Sequence, residues 1–185
     1  MSNHERNRWK GFILGAVGSA TGVIAMRYYW KAASALAGGD PRKQGDNREP
    51  HTLDSIAVIG KHREEGESST AVMGRIAYQL IAGKEPESQE TRTTLSYVTH
   101  WVYSMLMGGL YGVVRGKVDA PDVRGGLALG TGVWLFGDEL ATPLLGLAVG
   151  PTAYPLSMHA HAFGAHVAYG LASSAATQLL YRVVP

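Results

Sequence analysis

The chain contains no cysteine, so disulfides, thiolate metal ligands and cysteine nucleophiles are excluded and the fold must be held by packing. It also lacks a Gly-x-x-x-x-Gly-Lys phosphate loop, an HExxH zinc helix and a serine nucleophile elbow. No catalytic residue is assigned, and the reading leans away from an enzyme. Charge of one sign is scarce as well: 17 Lys and Arg stand against 15 Asp and Glu, for a net charge of +2. The basic residues lie beside apolar windows instead of forming a stripe, which argues against nucleic acid as a partner.

What is most conspicuously missing is charge inside four long windows. A mean hydropathy of −0.04 is ordinary for a soluble protein, but the average hides segregation. Nearly all charge falls before Gly11, between Arg27 and Arg92, and between Arg115 and Arg124. The windows at about 11–30, 95–114, 125–149 and 155–180 each approach the roughly 20 residues that a bilayer requires. The expectation is a single all-α domain over 1–185, an integral membrane four-helix bundle with the lipid bilayer as its first partner. The first window resembles the basic and apolar regions of a signal peptide. No clean small-residue cleavage site follows it, however, and Arg27-Tyr28-Tyr29-Trp30-Lys31 has the makeup of an interfacial anchor, which favours a retained span. Arg6, Arg8 and Lys10 precede the first span, Arg115, Lys117 and Arg124 join the second to the third, and Arg182 follows the fourth. Positive residues mark the cytoplasmic side, so both termini are expected there.

The extramembrane loop, 31–94, opens polar and rich in Gly and Pro. Between Ser69 and Gly83, Val72, Met73, Ile76, Leu80 and Ile81 recur at helical spacing, with Arg75, Gln79 and Lys84 at the polar positions. That pattern predicts one amphipathic interfacial helix on the outer membrane face or on a partner, or else a short helix packed on the loop itself.

Glycines recur four apart: Gly11 with Gly15, Gly18 with Gly22, Gly108 with Gly112, Gly126 with Gly130 and Gly146 with Gly150. In lipid, such spacing lets helix backbones approach closely, for bundle packing or for a homo-oligomer or larger membrane complex. A short echo, His100-Trp101-Val102-Tyr103 against His166-Val167-Ala168-Tyr169, places His and Tyr three apart in the second and fourth windows and suggests a duplicated two-helix unit.

The informative residues are those that a span should not contain. Asp138 and Glu139 are adjacent in the third window, and His100, His159, His161 and His166 lie in the second and fourth. An acidic residue at a helix centre costs roughly 2.5–3.5 kcal/mol on insertion, so the acids must pair, protonate or face a polar cavity. His159 and His166, seven apart, share a face, whereas His161 is rotated toward lipid headgroups or a partner. Pro143 removes a backbone donor, which predicts an unpaired Glu139 carbonyl and a kink beside the acids. The cluster of His100, Asp138, Glu139, His166 and His159, with Tyr103 and Tyr169 nearby, has three readings. It is a structural network, a proton or cation pathway, or a metal site. In the third, His100, His159, His166, Asp138 and Glu139 are the ligands, with haem b or a transition metal as cofactor and His100 with His159 as an axial pair. Met26, Met105, Met107 and Met158 would suit copper but are ordinary gap-fillers in apolar packing.

Gly137-Asp138-Glu139-Leu140-Ala141-Thr142-Pro143-Leu144-Leu145-Gly146-Leu147, Tyr154-Pro155-Leu156-Ser157-Met158-His159 and Ala165-His166-Val167-Ala168-Tyr169-Gly170 together resemble the C-terminal signature of the YagU-like (DUF1440) proteins. His100 and the Gly108-Gly109-Leu110-Tyr111-Gly112 run resemble that family's second span. The likeness covers the second half of the chain well and the first span loosely, and the loop up to Pro50 has no counterpart. It implies a bacterial inner-membrane location and a four-span fold, and no reaction. The sequence thus leads to a small inner-membrane protein whose His/Asp/Glu site handles protons or cations. The alternatives are a non-catalytic accessory subunit of a membrane complex and a haem- or metal-binding redox subunit.

Overall fold

The structure, a computed structural model, describes residues 7–43, 52–118 and 121–184, with the side chains of Lys43 and Thr52 outside the description. Among the described residues every regular element is helical: α1 (Arg8–Leu36), α2 (Ser69–Ala82), α3 (Gln89–Arg115), α4 (Val123–Gly132), α5 (Thr142–Leu144) and α6 (Leu156–Val183). A π-helical segment, Val133–Ala141, joins α4 to α5 without a break. Arg6 of the basic leader and residues 44–51 of the long loop lie outside the described residues.

Short-range chemistry sets the helix starts. The side chains of Asn7, Ser68, Ser88 and Asp122 each accept the backbone N–H three residues on, opening α1, α2, α3 and α4 before their apolar stretches begin. Helices α1 and α3 therefore begin before the apolar windows that mark them in the sequence. The third window behaves differently. It ends as helix at Leu144 and not near 149, because Gly146 takes φ +66°, a left-handed turn that ends the helix. Gly146 and Gly150 are consequently not a helix-packing pair. They seat the long loop: His62 donates its N–H to the Gly146 carbonyl at 3.0 Å, and Gly150 donates to the Asp54 carbonyl at 2.8 Å.

The other glycines lie where helices meet. Gly11 and Gly15 face the backbones of Gly112 and Gly108, Gly18 and Gly22 face Thr177, Ser173 and Tyr169, and Gly126 and Gly130 face the backbones of Gly170 and His166. A β-carbon at Gly11, Gly15, Gly18, Gly22 or Gly130 would overlap its neighbour, and at Gly126 it would be tight. These pairings make α1 antiparallel to both α3 and α6, and α4 antiparallel to α6. The helices stand in the order α3, α1, α6, α4, and α3 touches α4 only lightly.

The interior mixes an apolar cluster of Val23, Met26, Ala165 and Tyr169 with small polar side chains. Ser19, Ser104, Ser173, Ser174, Thr177 and Gln178 are buried, while on α3 Val98, Val102, Leu106, Leu110 and Val114 point outward at every fourth position. This distribution lowers the average hydropathy of α3 and α6. Among the described residues, α1 is the one helix long and apolar enough by composition to cross a membrane.

Helix α2 packs on the start of α3, with Gly74 against the Leu95 carbonyl and Thr99. The amphipathic pattern is present, but Arg75 reverses its expected place. It is 7% exposed, and its guanidinium donates to both Glu67 oxygens, at 2.9 and 2.8 Å, and to the His62 carbonyl. A cation that reaches a carboxylate and a carbonyl is satisfied inside, where the periodicity would put it outside.

Candidate functional site: two histidine–carboxylate pairs

The acids stand on the π-helical segment. Thr142 donates its backbone N–H to Gly137, five residues back, so the hydrogen-bond count is shifted by one from that of an α-helix. In that register the carbonyl opposite Pro143 is that of Asp138, not Glu139. The Thr142 hydroxyl fills the vacancy by donating to the Asp138 carbonyl at 2.9 Å. The proline is thus accommodated by a widened helix and a side-chain donor.

Asp138 and Glu139 pair with different histidines of α6. His159 Nδ1 is 2.7 Å from Glu139 Oε1, and its Nε2 is 2.8 Å from the Pro151 carbonyl. His166 Nε2 is 3.4 Å from Asp138 Oδ2, and its Nδ1 is 2.8 Å from the Ala162 carbonyl. A carbonyl only accepts, so the nitrogen facing it carries a proton in each ring. On the opposite side of each ring, His159 and Glu139 are hydrogen-bonded, whereas His166 and Asp138 stand only within ion-pair range. The histidines are seven residues apart, about 10.5 Å along the helix, so these are two pairs and not one constellation.

The remaining expected residues divide. His100 lies within electrostatic range of His166, and Tyr103 lies within range of Asp138 with its hydroxyl against Gly137. Tyr169 is elsewhere: it is buried and donates to the Ser104 carbonyl at 2.6 Å, joining α6 to α3. His161, expected to face lipid headgroups or a partner, instead faces α1. Its Nδ1 is 3.3 Å from the Tyr29 hydroxyl, and its ring packs near Trp30. The echoed His/Tyr motifs therefore occupy unlike surroundings.

Among the described residues no group of three or more His, Asp or Glu side chains is gathered to hold a metal ion. His159 has both ring nitrogens engaged and is not available to pair with His100 as an axial ligand. His100, His159, His166, Asp138 and Glu139 are therefore not gathered as one set of metal ligands.

A cavity of about 1010 Å³ lies between α1, α2 and α3. Arg27, Glu67 and Arg92 stand at its charged end, Trp30 and Trp101 along it, and His100 lines it. Beside this cavity Arg75 holds the Glu67 carboxyl below the usual carboxylate range, and Glu67 in turn raises the guanidinium.

At the opposite end of the bundle is a network that sequence reasoning missed. Asp122 receives Arg115 Nε at 2.6 Å, a second Arg115 nitrogen at 2.8 Å, the Tyr111 hydroxyl at 2.7 Å and the Gly125 N–H at 3.0 Å. The hydrogen bond from Arg115 is the main reason its carboxyl is lowered to about 2, with burial acting in the opposite direction. Ser174 donates to the Asp122 carbonyl, and Gln178 bridges the Gly116 carbonyl and the Val118 N–H. The sequence signal was an Asp directly before the third window, the position of an N-cap. Comparison with known proteins yields no match to a family model, a curated protein or a solved structure.

Proposed function

We propose that the chain crosses a bacterial inner membrane four times, with both termini cytoplasmic, and that its two histidine–carboxylate pairs handle protons entering from the cavity above His100. The four-span arrangement is supported by apolar outward faces on the long helices together with polar side chains in the interior. Serine, threonine and glutamine lie inside, and outward stripes include Ile13, Val17 and Ile24 on α1, Val98 to Val114 on α3, and Leu127 and Phe136 on the third run. Faces of this kind expose far more contiguous apolar surface than a monomer in water ordinarily shows, whereas in lipid they are solvated. The inner-membrane location follows the resemblance to YagU-like proteins.

The observation that carries the proton reading is the geometry of His166. One ring nitrogen is committed to the Ala162 carbonyl and the other faces Asp138 at 3.4 Å, which sets an imidazole and a carboxylate side by side as proton-accepting groups. A small cation is the alternative cargo of the same site. The test is proton flux in liposomes that contain the purified chain and a trapped pH dye, driven by a potassium diffusion potential. Flux above protein-free liposomes, lost in Asp138→Asn and reduced in His166→Gln, is the expected result. Wild-type liposomes no leakier than empty ones would sink the proposal.

One observation favours an accessory subunit as the second reading. Leu80 and Ile81 of α2 are 82% and 88% exposed beside the bundle. Isolation of the chain with one companion at fixed stoichiometry, dispersed by Leu80→Ser with Ile81→Ser, would support docking over transport.

A further inference from the structure

Helices α3 and α4 barely meet, and between them lies a groove of about 520 Å³. Its walls include Met107, Leu110, Ala128, Leu129, Gly132 and Phe136. Tyr103 lies toward one end and Arg115 at the other, about 18 Å apart at the rise of an α-helix. A β-carbon at Gly132 would meet nothing within 4 Å, so the depth of the groove comes from side chains that are not there.

From these features we infer that the groove holds one acyl chain of an anionic phospholipid whose phosphate lies at Lys117 and Arg124. The inference rests on the four-span reading. Shape suits a chain of methylenes, because an extended acyl chain runs along a groove of this length between two helices. Charge selects the headgroup. Arg115 is engaged by Asp122, but Lys117 and Arg124 are exposed and form no ion pair among the described residues. Arg124 directly precedes Gly125, which lines the groove, and Lys117 follows Arg115 by two. This is the end that the positive-inside rule assigns to the cytoplasm, where the anionic lipids of a membrane concentrate.

The test is native mass spectrometry of the full chain in mild detergent with equal amounts of palmitoyl-oleoyl phosphatidylglycerol and phosphatidylcholine. One bound lipid is expected, with phosphatidylglycerol preferred. Lys117→Gln and Arg124→Gln should each cut the preference about fivefold. Gly132→Leu should lose the lipid while thermal unfolding is retained, and Ala128→Leu serves the same purpose where Gly132→Leu does not fold. Equal binding of the two lipids, full binding by the groove-filling variants, or a dimer that those variants dissolve would each overturn the assignment. Alkaline carbonate extraction separately tests membrane insertion, on which the four-span reading depends. A chain that stays in the membrane pellet without showing this preference overturns the groove alone, and a chain released from the pellet overturns both.

Discussion

Tyr111 of α3 donates its hydroxyl to Asp122 Oδ2 across 2.7 Å, joining one long helix to the capping residue of the next. Ser174 of α6 reaches the same tyrosine oxygen at 2.8 Å, so three helices converge on one buried carboxylate. The end of α3 and the start of α4 are thereby tied to each other and to α6 by side chains.

The Asp122 carboxyl, held at about 2 against an ordinary 3.8, makes stability depend on pH. Its folded value is depressed, so its contribution is fully present above about pH 4 and is lost as pH falls toward 2, a change of about 2 kcal/mol. Thermal unfolding in detergent followed from pH 7 down to 2 should show this loss in the wild type and a flatter profile in Asp122→Asn. An unchanged slope in the variant would assign the acid sensitivity to another group.

Gly15 and Gly108 meet backbone to backbone, and α1 has no room to retreat because α6 lies on its other side. Gly15→Leu and Gly108→Leu should each cost about 3 kcal/mol or more, at or beyond the upper range for overpacking. Gly132→Ala, whose β-carbon enters open space, should change stability by less than about 1 kcal/mol and gain slightly in helix propensity. Unfolding titrated with a denaturing detergent ranks the variants. Equal stabilities would show that the helices are not held at these contacts.

Replacing Arg75 by methionine removes the main partner of Glu67, whose side chain is 11% exposed, and leaves it the Glu64 N–H at 3.0 Å and Arg92 at 3.7 Å. Breaking a buried pair on one side costs about 3–5 kcal/mol, and the loss falls on the attachment of α2 to α3. Limited proteolysis should cut Arg75→Met between residues 60 and 68 much faster than wild type. Glu67→Gln, which keeps an acceptor for the guanidinium, should fall between the two.

Thr142 supplies the donor that Pro143 cannot, and its hydroxyl bonds the Asp138 carbonyl. Thr142→Val should destabilise the chain by about 1 kcal/mol, and Thr142→Ser should restore most of it. Detergent unfolding of the three proteins, with amide exchange at Gly137 to Thr142, checks both the cost and its location.

Much of this molecule is legible in one dimension because apolar runs and helix caps are local features. Asn7, Ser88 and Asp122 precede helices in the order that capping chemistry demands, and the residues from Ser69 to Ala82 carry a helical period that the structure realises. The acids and histidines stood out because such groups are costly inside an apolar window. The sequence did not disclose which acid takes which histidine. That choice depends on the π-helical register, which arises from the missing N–H of Pro143 together with the hydroxyl of Thr142.

Periodicity determined that faces exist, and tertiary structure decided what each face meets. Arg75 lies on the polar side of its pattern yet is buried, because Glu67 and the His62 carbonyl satisfy it there. His161 turns to Tyr29, more than a hundred residues earlier in the chain, and Gly15 finds Gly108 in another helix. The sequence alone determined where helices begin, where charge is scarce and which side chains are out of place. Only the folded arrangement decided their partners, because the energy of a polar or tightly packed group is set by what lies across the helix interface, and spacing along one helix carries no information about that.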